Sequence, residues 1–266
     1  MKTVLITLPF LCAPLWAAEI DPKALADLRA DIVILGEVHD NPAHHAHQAA
    51  AVAALAPQAV VFEMLTPDQA ARVTPDLRAD PVALGKALEW ETSGWPDFAL
   101  YAPIFAAAPQ ARVVGAALPR EQLRHAVADG AASVFGARAQ DYGLDQPLAP
   151  ADQAARLDEQ RIAHCNALPE DLLPGMVQAQ RLRDAAFADA AIAALRDSGG
   201  PVVIITGSGH ARVDHGVPAM IRRAAPGVSV VSVGQLERPV TDDPPPFDHW
   251  IITDPAERPD PCAALR

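Results

Sequence analysis

Asp31-Ile-Val-Ile-Leu-Gly36, running on into Glu37-Val38-His39-Asp40-Asn41-Pro42, decides the fold of this 266-residue chain. Ile32 to Leu35 are apolar at every position rather than at alternate ones. That is the pattern of a strand covered on both faces, and Gly36 ends the run. Asn41 then offers a side-chain cap and Pro42 a preset first turn, so a helix is expected to run to about Ala56. A strand buried on both faces that passes straight into a capped helix is the repeating unit of a parallel sheet.

The same grammar recurs on either side. Ala59-Val-Val-Phe-Glu63 reads as a second strand, and Thr66-Pro67-Asp68 opens another helix by the same device. Helices are expected over 80–90 and 96–108, a third strand at Arg112-Val-Val-Gly-Ala116, and a further helix from Pro119. Residues 150–197 are helical in pattern, with breaks near Leu168-Pro169 and Leu173-Pro174-Gly175. Strands resume at 202–206 and 228–233, and after a proline-rich stretch at 239–246 an edge strand is expected at 249–253. The fold class expected is α/β: a mostly parallel sheet, helices on both faces, and a helical excursion covering the carboxyl end of the sheet. Residues 18–266 are read as one domain with a proline-rich tail from about 239.

Met1-Lys2, the mostly apolar run from Thr3 to Trp16 and the small pair Ala17-Ala18 have the form of a signal peptide over 1–17. Cleavage before Ala18 or Glu19 and a periplasmic location are expected. Bulky Pro9-Phe10-Leu11 precedes Cys12 where a lipid-anchor motif needs small residues, so a lipid anchor is the lesser reading. No later segment has the ~20 unbroken apolar residues of a membrane span. Export leaves Cys165 and Cys262, without CxxC spacing, in an oxidising compartment, where a disulfide is expected. A net charge of −12 with scarce lysine argues against nucleic acid and anionic membrane surfaces as partners.

In parallel α/β sheets, ligands sit beyond the carboxyl ends of the strands. The first strand runs out into Glu37 and His39, the second ends in Glu63, and the 202–206 strand runs out into Gly207-Ser208-Gly209-His210. Two imidazoles and two carboxylates are thereby delivered to one edge. A carboxylate beside an imidazole fixes its tautomer and raises its basicity, as a water-activating general base requires. The same four side chains could instead ligate a divalent metal. His44 and Gln48 share a helical face that can look toward this edge, as do Gln180 and Asp184 on a later helix. Gly207-Ser208-Gly209 lacks the first glycine of a nucleophile elbow, since Thr206 stands there. Tyr101, on an expected helix rich in aromatics, is either a packed tyrosine or a haem-iron ligand.

Ile34-Leu-Gly-Glu37-Val-His39-Asp40-Asn41-Pro42-x-His44-His45-x-x-Gln48 resembles the opening motif of the ChaN family of haem-uptake proteins. The segment from Trp95 to Pro103, Met176-Val-Gln-Ala-Gln180-x-x-Arg183-Asp184-Ala185 and Gly207-x-Gly209-His210 are similar to later family segments, in order, across about 31–235. The resemblance implies haem as cofactor, delivered to or received from haem-uptake machinery, and a homodimer. It puts Tyr101 at the iron and His39, His210, Arg183 and Asp184 around the ligand. It also implies an alternative, because the wider superfamily includes erythromycin-esterase-like and Tiki-type hydrolases. In that reading Glu37, His39, Glu63 and His210 cleave an ester or amide, with a divalent metal as a further option.

Overall fold

The computed structural model describes residues 17–260 and 262–263; the expected signal peptide, and Cys12 within it, lie outside the described residues apart from Ala17. Seven strands form the sheet: β1 (Ala18–Glu19), β2 (Ile32–Glu37), β3 (Ala59–Phe62), β4 (Arg112–Gly115), β5 (Val202–Gly207), β6 (Val230–Glu237) and β7 (His249–Thr253). Their order is β1-β7-β6-β2-β5-β3-β4, and every pair is parallel. The chain builds β3 and β4 on one side of β2, returns through β5, and then adds β6 and β7 on the other. The carboxyl ends around β2 and β5 therefore form the crevice expected where strand order reverses.

The helices are α1 (Pro42–Leu55), α2 (Pro67–Ala71), α3 (Pro75–Arg78), α4 (Pro81–Ala87), α5 (Phe98–Ala107), α6 (Arg120–Asp129), α7 (Ala131–Phe135), α8 (Pro150–Ala163), α9 (Leu173–Ser198), α10 (Ser208–Ala211) and α11 (Val217–Ala224). Alternation along the strands assigns each residue to a face. Val33, Leu35, Val60, Phe62, Val203 and Ile205 pack with α1, α4 and α5. Ile32, Ile34, Ala59, Val61, Val202 and Ile204 pack with α6, α9 and α11. Continuing the alternation sends Glu37 to the α1/α5 face and Glu63 to the α9 face. The register sets Glu37 beside Gly207, with Phe62 beside Ile205.

Most expected elements are present, with instructive differences. The expected helix over 80–90 stops at Ala87, and Glu89 turns left-handed (φ 55°). Pro174 does not interrupt a helix: it lies in the first turn of α9, where its missing N–H costs nothing. At 26 residues α9 is about 39 Å long, roughly twice the length of β5. The excursion thus covers a face of the sheet with α9, whose first half reaches the carboxyl edge. β6 runs on to Glu237 through Gly234 and Gln235, because the buried Gln235 amide donates to Gly36 O and His44 O. β7 is not the outermost strand, since Ala18 and Glu19 pair along it. Cys165 and Cys262 form the expected disulfide. Among the described residues no helix is long and apolar enough to cross a membrane.

Candidate functional site

Two carboxylate–imidazole pairs stand at the carboxyl edge, one from each face of the sheet. On the α1/α5 side, Glu37 is buried, and its Oε1 accepts from Tyr101 OH at 2.9 Å and pairs with His39 Nδ1 at 2.8 Å. Its Oε2 has no hydrogen bond and lies 3.5 Å from His45 Nδ1. His45 Nε2 in turn holds the His39 carbonyl at 2.7 Å. The His39 ring is thereby oriented through Nδ1, and its Nε2 carries no hydrogen bond among the described residues. Its side chain is 35% exposed, while that of Glu37 is 0% exposed. Burial alone would lower the His39 imidazole, but the hydrogen bond to Glu37 and the Glu63 charge leave it above its ordinary value.

On the α9 side, Glu63 Oε2 accepts from Thr206 Oγ1 and Gly207 N, each at 2.7 Å. Glu63 Oε1 lies 3.5 Å from His210 Nε2, and Asp184 Oδ1 lies 2.6 Å from His210 Nδ1. Gln180 Nε2 is 3.1 Å from the same His210 Nδ1, and the Phe187 ring packs on the imidazole. Burial alone would lower His210, but the carboxylates of Glu63 and Asp184 outweigh it and push it up to about 10. Burial would raise Glu63, yet the His210 charge and hydrogen bond hold it well below the usual carboxylate range. His210 is therefore a fixed cation at neutral pH, a charge rather than a base.

The two halves meet over Gly207, where a Cβ would stand 2.9 Å from His39 Nε2. The glycine lets the ring lie against the β5 backbone; its φ of −62° is open to any residue. The four side chains expected from the sequence are thus brought to one place, and Asp184 and Gln180 join them. Arg183 follows Gln180 by three positions and is half-buried, so the helical phase sets it at the flank of the site. It makes no hydrogen bond or ion pair among the described residues.

Tyr101, the expected iron ligand, stands against Glu37 and His45. It is fully buried, and its hydroxyl donates to Glu37. Burial first, then the Glu37 charge, push its ionisation well above the ordinary phenol range. His44 and Gln48 are buried, and they hold backbone. His44 Nδ1 accepts from Val38 N at 2.8 Å, and Gln48 donates to Leu35 O at 3.0 Å. Ser208 gives its hydroxyl to Gln235 O at 2.8 Å, which leaves no free nucleophile there. No three His, Cys, Asp or Glu side chains among the described residues converge so as to hold a metal ion.

A cavity of about 970 Å³ is lined by Trp90, Trp95, Pro96, Phe98 and Val82, with Lys86, Glu89, Glu91 and Asp97 also among its walls. The Trp95 and His39 rings meet edge to face, with centroids 4.9 Å apart. Sequence reading gave no role to Trp90, Lys86 or Thr206 in this region, and His45 and Phe98 stood only inside the quoted motifs. The tryptophans alone gave a signal, through their clustering around 90–98. An aromatic-walled cavity that meets an oriented imidazole through Trp95 suits a flat hydrophobic ligand with a metal at its centre, so the residues present fit haem.

A family model described as haem-binding uptake, Tiki superfamily, ChaN matches residues 25–221. Among solved structures, ChaN of Campylobacter jejuni with cofacial heme is 20% identical, with 85% of this chain and 89% of that one covered and a TM-score of 0.64. The type III effector HopBA1 is 13% identical, with coverages of 88% and 91% and a TM-score of 0.49. No curated protein matches the chain. The family match takes in β2, β3, β4, β5 and every side chain of both carboxylate–imidazole pairs, and by it this chain belongs to the ChaN family of haem-binding uptake proteins in the Tiki superfamily.

Proposed function

We propose that the chain is an exported single-domain protein that binds haem at the carboxyl edge of its sheet, with His39 Nε2 as the iron ligand, during haem and iron acquisition. One observation carries the reading: Glu37 holds His39 through Nδ1 and leaves Nε2 without a hydrogen bond among the described residues, with the ring against Trp95, which lines the aromatic cavity. A carboxylate on the far nitrogen is the usual outer partner of a metal-binding histidine. Haem supplies an iron that takes an axial ligand and two propionates that need cations. Lys86, on the cavity wall, is a cation for a propionate, and Arg183 is a candidate only for a group that reaches the α9 side. Tyr101 and His45 hold Glu37, so they act on the iron only through His39. The disulfide and the apolar start of the sequence support the periplasm. The open lip at Val82, 83% exposed, and the cofacial heme of the Campylobacter relative support a homodimer.

Hemin titration tests this. Wild type should bind at micromolar concentration, and His39→Ala should lose the axial-ligand spectrum. Tyr101→Phe should keep that spectrum with weaker binding. Loss of the ferric charge-transfer band in Tyr101→Phe alone would return the iron to Tyr101. The hydrolase reading retains one specific support, the buried Asp184–His210–Glu63 chain, which an apolar haem pocket does not need. There His39, oriented by Glu37, activates water for attack on an ester or amide, while His210 serves as fixed positive charge. Ester turnover that depends on His39, without hemin binding by wild type, selects it.

A further inference from the structure

After β7 the chain turns back along the carboxyl rim. Asn41 Nδ2 donates to Asp254 O at 3.2 Å, and Ala256 N donates to Glu237 Oε1 at 3.0 Å. Arg258 then makes a fork: Nε donates to Asp40 Oδ2 at 2.6 Å, and Nη1 and Nη2 donate to the two Glu237 oxygens at 2.6 and 2.5 Å. Such planar, charge-assisted bonds fix geometry as well as charge. Four residues on, Cys262 is bonded to Cys165, just past the end of α8. Asp40 directly follows His39, and its carboxylate has no hydrogen bond other than that from Arg258 among the described residues. Asn41 next to it caps α1. The loop that carries His39 is thus gripped from outside by a segment tied at both ends, by β7 pairing and by the disulfide.

We infer that Arg258 is a positioning residue for His39, and that the Cys165–Cys262 disulfide keeps it in place, so that ligand retention responds to thiols. The inference rests on His39 as the ligand-binding residue. In the chemical step a dithiol reductant gives two electrons and two protons to the Cys165–Cys262 bond. The products are two cysteine thiols and the oxidised reductant. Arg258 then hangs on a free end, and its ordering on Asp40 is opposed by the conformational entropy of the released tail.

The test compares full-length oxidised protein, dithiol-treated protein, the Cys165→Ser/Cys262→Ser double variant, Arg258→Gln and Arg258→Lys. Two readouts are taken: hemin dissociation rate, and amide hydrogen exchange over 38–43 without hemin. Reduction and the double variant should each raise the dissociation rate roughly tenfold or more, the scale of losing an outer-shell partner. Both should speed exchange at 38–43. Arg258→Gln should do the same with the disulfide intact, and Arg258→Lys should recover part of the effect. Unchanged rates and exchange in Arg258→Gln would overturn the inference, even if the double variant failed to fold. If oxidised wild type binds no hemin, the haem reading fails by itself, while the exchange data still decide whether Arg258 holds the loop.

Discussion

At the scale of single residues, Tyr101 and His44 are the groups whose burial most changes how they behave. Tyr101→Phe keeps the ring packed against Trp90 and edge to face with His45 but removes the hydroxyl that donates to Glu37. We expect a loss of about 1.5–3 kcal/mol of stability, the worth of a hydrogen bond to a charged group, read by urea unfolding. Glu37→Gln should lower the His39 titration toward its ordinary value, measured by imidazole NMR, because the hydrogen bond and charge that raise it are gone. Burial lowers His44 to about 4, and its Nδ1 must stay unprotonated to accept from Val38 N. The unfolded chain takes up that proton near 6.5, so the folded state loses stability as pH falls from about 6.5 to 4. The loss amounts to about 3 kcal/mol at completion. Denaturant midpoints across pH 7 to 4 should show this slope, and His44→Gln should flatten it.

At the scale of elements, the strands and their first turns were legible because apolar runs, caps and proline positions are local signals. Glu37, His39, Glu63 and His210 were legible for the same reason: each follows a readable strand end. Asp184 was visible as one end of a helical stripe and through the family resemblance, but its contact with His210 depends on how far α9 overhangs the sheet. Tyr101 stayed open between a packed tyrosine and an iron ligand, because a helix sequence does not tell which side chain goes under the loop above it. The aromatic cavity is lined from one run, 81–99, from α4 to the start of α5, but the folding of that run back on itself is not a periodic signal. Gly207 gives the clearest element-level prediction. Its φ suits alanine, but a Cβ would crowd His39 Nε2. Gly207→Ala should therefore fold with near-normal circular dichroism and melting, yet bind hemin far more weakly. Wild-type hemin affinity in that variant would remove the ring from the ligand's path.

At the scale of the whole molecule, the Cys165–Cys262 pair closes a loop with a sequence separation of 97. Removing it by serine substitution should cost about 2–5 kcal/mol, by analogy with small domains and the long-loop case. Thermal melts with and without reductant measure it. The pairing was legible from cysteine count and export alone, but the Arg258 fork was not, since arginine, Asp40 and Glu237 are far apart in the chain. The division of the two carboxylates between opposite faces has a wider consequence. His39 answers mainly to α1 and α5, whereas His210 answers to α9, and the two meet at the β5 backbone and in the charge of Glu63. Either helical layer can accumulate substitutions while the other keeps its chemistry. The seam over Gly207 therefore works like a two-key lock whose keys are cut independently, and one sheet edge can change what it accepts by recutting a single key.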